Sequence, residues 1–222
     1  MAPRAVVNFP CSGDLVASVV AGNPCAFRLQ KIADIAKIKS QSYDHFSLKG
    51  TGRMQFVRLQ EGDGSWTRFL GDWEAQCIAL GEDFESYQVS LIGVVQDLAK
   101  ADSNEDAAIY ALEEDGRFHS LCQVNVTMLP GYTGRVLRVR MMYFAPLYDF
   151  GELDLEAYIA VVVRMFTEIM MLSDGHMQAP HVKFHLRSPA DRQFFAAIGA
   201  DFENKKTYES VTMRGAWLYI TK

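Results

Sequence analysis

Hydrophobic and polar residues alternate with a period of two over residues 181–187, HVKFHLR. This puts Val182, Phe184 and Leu186 on one face and His181, Lys183, His185 and Arg187 on the other. The pattern predicts a strand with one core face and one polar face. Ser188-Pro189 then begins a helix: a serine oxygen can accept from free amides, proline suits the first helical position, and Asp191 adds favourable negative charge there. Gly199 is the matching stop signal. Residues 108–112 and 118–128 flank Glu113-Glu114-Asp115-Gly116-Arg117 and predict a β-hairpin, because Asp-Gly favours the primed turns that match strand twist. A further strand is predicted over 135–144. Its continuously apolar second half, 141–145, marks it as central and covered on both faces.

The 155–172 segment is apolar nearly all round, with Glu156, Arg164 and Glu168 forming a narrow polar stripe. It predicts a helix packed on the sheet and ended by Asp174-Gly175-His176. Residues 206–213 and 216–221, joined through Arg214-Gly215, predict a closing hairpin. Upstream, 54–59 and 66–70 around Glu61-Gly62-Asp63-Gly64 also read as a hairpin. A helical zone follows, carried by Phe84, Tyr87, Leu91, Val94, Val95 and Leu98 and ended by the acidic 102–106 cluster. Residues 32–46 predict a first helix, preceded by strands or an extended arm. The expected fold class is α+β, a mixed, mostly antiparallel sheet flanked by helices. An N-terminal extension with the first helix (1–50) precedes the main domain (51–222).

Composition narrows the class. At 222 residues, 49% hydrophobic and 22% charged, the chain can bury a sizeable core as one unit. The most apolar stretch, 157–172, is short for a bilayer span and is interrupted by Arg164 and Glu168, so no membrane partner is expected. The first residues lack a secretory pattern, which points to the cytosol, or to a virion for a phage-encoded chain. Cys11, Cys25, Cys77 and Cys122 are widely spaced and read as isolated buried thiols. A net charge of −5 without a clustered basic run argues against a nucleic-acid partner, leaving room only for a local basic patch.

The order of elements from residue 108 onward, and above all SPADRQFFAAIG at 188–199, resembles the core of the GNAT acyltransferase superfamily. The resemblance implies a GNAT-like fold and an acyl-coenzyme A dependent N-acyltransferase, with acetyl-CoA or another acyl-CoA as cofactor and an amine as substrate. It implies that the backbone of Met142 and Phe144 holds the pantetheine arm. The 149–154 loop, with Asp149, Gly151 and Leu153, would hold the pyrophosphate, and Ser188 stands at the helix start facing the cofactor. In many family members an Asn opens the 188–199 motif and a tyrosine stands at the position of Phe195, where it protonates the departing thiolate. Phe195 has no proton to give, and packing is the role left to it. The phosphate loop departs too. DFGELD at 149–154 has one glycine, out of register, and places Asp149, Glu152 and Asp154 where carboxylates repel phosphates. The alternative is a noncatalytic GNAT-fold binding or assembly protein without cofactor, for instance in a phage particle, with a protein partner or as a homo-oligomer. A carrier-protein-borne acyl group is a further donor that the sequence allows.

Other chemistry is poorly supported. DFGELDLE lacks the ligand spacing of a calcium loop, and His181 and His185, on one strand face, are about 13 Å apart by strand geometry, too far for one zinc ion; no metal is expected. Ser120 and Ser188 lack a nucleophile-elbow context, and Gly50-Thr51-Gly52-Arg53 lacks the phosphate-loop lysine.

Overall fold

The computed structural model describes residues 54–89, 92–101, 104–151, 155–186, 192, 195–196, 199 and 207–222. Seven strands form one sheet: β1 (Gln55–Arg58), β2 (Ala107–Glu114), β3 (Arg117–Met128), β4 (Arg135–Phe144), β5 (His181–His185), β6 (Ser210–Arg214) and β7 (Trp217–Thr221), in the order β1-β2-β3-β4-β5-β7-β6. Every neighbouring pair is antiparallel except β4 with β5. The chain therefore forms the expected α+β class, a mixed, mostly antiparallel sheet flanked by helices, with β4 at its centre. Five helices accompany it among the described residues: α1 (Ser65–Leu80), α2 (Phe84–Val89), α3 (Ile92–Lys100), α4 (Pro146–Asp149) and α5 (Leu155–Asp174). The helix and arm expected within 1–50 lie outside the described residues.

The β2–β3 turn is the primed type that Asp-Gly predicts, with φ of 49° at Asp115 and 84° at Gly116. The 61–64 turn behaves differently from its sequence reading. Residues 66–70 are the first turns of α1, not the second strand of a hairpin. Asp63 Oδ1 accepts from the Ser65 amide at 2.8 Å, and Ser65 Oγ accepts from the Gln60 amide at 2.8 Å, which ties the helix start to the turn before it. Trp66, Phe69, Trp73 and Cys77 then recur at helical spacing, all buried. Five residues are too few to separate a strand from the first turns of a helix, because the 3.6-residue stripe becomes visible only over the full length of the helix.

α1 is tied to the sheet by polar bonds as well as by area. The β2–β3 register slips between Leu112 and Glu113, leaving His119 as the extra residue of a bulge beside Phe118. The backbone groups exposed there are taken by α1. Asp72 Oδ2 accepts from the Phe118 amide at 2.7 Å, while Trp73 Nε1 and Gln76 Nε2 donate to the Phe118 carbonyl at 3.0 and 3.3 Å. Phe69 meets the Phe118 ring edge-on at 5.6 Å.

α5 covers the opposite face, with Tyr158 against Phe144 and Phe166 stacked on Phe184 at 5.2 Å. Its polar stripe is internally paired: Arg164 reaches Glu168 at 2.6 Å and donates to the Met54 carbonyl at 3.1 Å. Among the described residues no helix is long and apolar enough to cross a membrane. Phe195 is 1% exposed and lies over Phe184 and near Phe166, so it packs. Gly199 is itself helical rather than a stop. A β-carbon there would lie 3.3 Å from Val211 and 3.5 Å from Leu218, so its missing side chain lets the helix approach the closing hairpin. The second half of β4 also corrects its sequence reading: Met141, Met142 and Tyr143 are only half-buried, because β5 does not follow β4 that far.

Trp73 combines full burial with a hydrogen bond to the bulged backbone. Trp73→Ala is expected to destabilise the protein by about 3–5 kcal/mol in urea unfolding. Trp73→Phe, which retains most of the packing but leaves the Phe118 carbonyl with Gln76 Nε2 alone, should cost about 0.5–1.5 kcal/mol.

Candidate functional site

Strand β5 pairs with β4 over four register positions only, from Val136↔His181 to Val139↔Phe184. Beyond them the two strands separate. At Arg140 the β3–β4 ladder carries a second bulge, since Val124 faces Val139 and Gln123 faces Met141. β4 continues along β3 to Ser120↔Phe144, whereas β5 continues along β7: His185 pairs with Trp217, and the Leu186 amide donates to the Ala216 carbonyl at 2.8 Å. The sheet thus opens between residues 141–144 of β4 and residues 185–186.

The polarity of that opening follows from the ladder. The Ala145 amide donates to the His119 carbonyl at 3.0 Å, so the antiparallel alternation turns the amides and carbonyls of Phe144 and Met142 away from β3 and toward the opening. The Tyr87 hydroxyl, on α2, stands at its end, 2.9 Å from the Phe144 carbonyl and 3.0 Å from Asp149 Oδ2. Tyr87 is held edge-on between Trp73 and Phe150.

The turn after β4 uses its own amides. Tyr148 N donates to Ala145 O, Phe150 N to Pro146 O and Gly151 N to Leu147 O, at 2.8, 2.9 and 3.1 Å. Gly151 is buried, and a β-carbon there would lie 2.2 Å from the Leu147 carbonyl, so the turn's own closure demands glycine. Met142, Phe144, Asp149 and Gly151 therefore gather at the C-terminal end of β4. Leu153 and Ser188 lie outside the described residues.

Beneath this turn lies a polar pair with no obvious sequence signal. His119 Nδ1 is 2.7 Å from the Tyr148 hydroxyl, and its Nε2 is 3.8 Å from Glu114 Oε2. Burial pushes the imidazole below its ordinary value of 6.5, with Glu114 pulling the other way, and burial pushes the Tyr148 phenol up. Both groups are neutral at neutral pH. A proton on Nε2 lets Tyr148 donate into Nδ1 and turns the ring N–H toward Glu114. With both residues buried, the pair positions α4 on β3 rather than exchanging protons with solvent. His119 and Tyr148 are 29 residues apart, and Tyr87 and Asp149 are 62 apart, separations at which no local pattern speaks.

The remaining candidates are dispersed. Ser120 is buried in β3 opposite Phe144. His181 is held by Thr221 Oγ1 and the Thr133 carbonyl, at 3.1 and 3.3 Å, while His185 lies against Trp217. Cys77 and Cys122 are buried free thiols, and burial raises Cys77 to about 11.

No protein-family model matches the chain, and no curated protein sequence does. Solved structures similar in arrangement include an N-acetyltransferase from Staphylococcus aureus Mu50, 9% identical, covering 77% of this chain and 98% of that one at a TM-score of 0.45. Others are an integron cassette protein of V. cholerae, 12% identical over 73% and 93% at 0.43, and the paiA N-acetyltransferase of Thermoplasma acidophilum in complex with coenzyme A, 13% identical over 76% and 98% at 0.37. At these scores and identities none of them lends a residue role, a ligand or an activity to this chain.

Two measurements test the site's internal geometry. Protons favour the unfolded chain once pH falls below 6.5, because the folded imidazole resists protonation. The His119 contribution is therefore intact above that value and lost progressively below it, until the buried ring itself protonates. Urea midpoints should fall between about pH 7 and pH 5.5 in the wild type, and His119→Gln should flatten that step. Tyr87→Phe should cost about 1–2 kcal/mol. Adding Asp149→Asn to Tyr87→Phe should cost less than Asp149→Asn does alone, a coupling that a double-mutant cycle reads directly.

Proposed function

We propose that the opening between β4 and β5 receives the extended amide-bearing arm of an acyl thioester, and that the protein transfers the acyl group to an amine. One observation carries this reading: beyond Val139 the inner edge of β4 turns the backbone of Met142 and Phe144 toward a gap with no strand across it among the described residues. An arm of alternating amides can bond to such an edge as a missing strand would. Coenzyme A supplies the activated thioester and the thiolate leaving group. Met142 and Phe144 would hold its arm, with Tyr87 delimiting the opening at the Phe144 end.

The fit is uneven along the ligand. The amides of Phe150 and Gly151 are already used within the turn, and the Asp149 carboxylate is held by Tyr87 beside the opening. The described part of the loop thus favours the arm over the phosphates, which suits a pantetheine arm borne by a carrier protein as well as by a nucleotide. Direct attack by an amine held in near-attack geometry is the chemistry that the site supports, with catalysis resting on positioning. A second reading, that the protein binds without catalysing, is favoured by Phe195. It stands where the resemblance implies the thiolate-protonating tyrosine, has no hydroxyl and is enclosed by Phe166 and Phe184.

Calorimetry with acetyl-CoA and with acetyl-pantetheine separates these outcomes. Micromolar binding of acetyl-CoA is expected, with the truncated arm retaining most of it because few phosphate contacts are available. No heat with either ligand, on protein shown folded by circular dichroism, would remove the proposal. Binding without acyl transfer to any of a panel of amines, followed by mass spectrometry, would select the noncatalytic reading.

A further inference from the structure

A second surface lies on the sheet face beside the opening. Asn125, Arg138, Lys183, Tyr219 and Thr212 occupy one register row across β3, β4, β5, β7 and β6, and His185, Trp217 and Arg214 form the next row. Their partners on the other face, Val182, Phe184, Leu218 and Ile220, are core. α1 packs over the β3 end of this polar face, on the side of Phe118 and away from α5. On the remaining half Arg214 and Thr212 are exposed and Arg138, Lys183, Trp217 and Tyr219 half-exposed, and exposed Arg140 stands at the bulge beside them.

The chemistry of this half runs against the rest of the chain. The protein has a net charge of −5, yet neither row contains an Asp or Glu. Arg138, Arg140, Lys183 and Arg214 have no carboxylate within ion-pairing distance among the described residues. The aromatic rings hold part of this charge in place. Lys183 Nζ lies 4.4 Å from the Tyr219 ring centre, 4.9 Å from Trp217 and 5.8 Å from Tyr132, and the Arg214 guanidinium is 5.6 Å from Tyr219. Residues 1–53 are a poor complement, with seven Lys and Arg against three Asp and Glu.

We infer that this open sheet face binds single-stranded nucleic acid. Four cations without a carboxylate partner among the described residues suit a phosphate backbone, and the half-exposed rings of Trp217 and Tyr219, with the guanidiniums, suit unpaired bases that can stack. A flat sheet face accommodates a splayed single strand, whereas a duplex hides its bases and would meet only the charges. The inference is independent of the acyl-transfer proposal, since it uses neither the β4 edge at 141–144 nor the α4 turn.

The test is fluorescence anisotropy of a short labelled single-stranded oligonucleotide, as RNA and as DNA, with the full chain at low salt. Binding should weaken with salt at a log–log slope of about −3, as four neutralised phosphates require for a single strand. Arg138→Glu should weaken it about tenfold or more, and Trp217→Ala about tenfold through lost stacking. Thr212→Lys, which adds a cation at an exposed position of the row, should tighten binding and steepen the slope by about 0.7. No binding at low salt, or binding indifferent to Arg138→Glu and Thr212→Lys, overturns the inference. Equal affinity for duplex or polyphosphate, with no effect of Trp217→Ala, also overturns it by showing a plain anion-binding surface.

Discussion

Strand β4 pairs with β3 along nearly its whole length but with β5 over only four positions, and most of what distinguishes this molecule follows from that inequality. A sheet that stayed fully paired at its centre would present no backbone to a ligand. Here the extra residue at Arg140 breaks the ladder where the strands diverge, and each strand then follows its outer neighbour. At this end of the sheet the Tyr87 hydroxyl satisfies the Phe144 carbonyl.

The surrounding structure braces this end. The bulge at His119 redirects a side chain and frees the Phe118 backbone, and α1 answers with Asp72, Trp73 and Gln76. The same Gln76 reaches the Leu147 amide at 3.4 Å, and His119 reaches Tyr148, so α1, β3 and α4 are locked to one another around the end of β4. The contacts to Phe118 take up the backbone amide and carbonyl at the bulge. The bulges are therefore constructional: they trade strand–strand bonds for side-chain bonds that fix the turn beside the opening.

The two faces of the β4–β5–β7–β6 half divide their work. One buries Phe184, Leu218 and Ile220 under α5 and Phe195; the other carries the cations and rings of Arg138, Lys183, Arg214, Trp217 and Tyr219. Strand alternation makes the division unavoidable once one face is core, but it does not dictate that the other should lack acids. In a chain with more acids than bases, that selective composition is the feature needing a function.

What the sequence by itself determined were properties carried by local periodicity and turn chemistry. The β2–β3 hairpin with its Asp115-Gly116 turn, the span of β4, the α5 helix, the alternation of β5 and the closing hairpin all follow from residues close together in the chain. The same alternation placed Lys183 and His185 on a polar face. Local reasoning failed where a longer-range partner decided the outcome. Residues 66–70 joined a helix because Trp66 and Phe69 share a stripe with Trp73 and Cys77, and the close approach of Val211 and Leu218, rather than a helix stop, is what glycine serves at 199. Of the candidate site, Met142, Phe144, Asp149 and Gly151 were legible as positions, but Tyr87, His119 and Tyr148 were not. Only the tertiary structure could bring Tyr87 to Asp149 and Arg138 beside Lys183, because register between distant strands is set by the packing of whole faces and leaves no trace within any one of them.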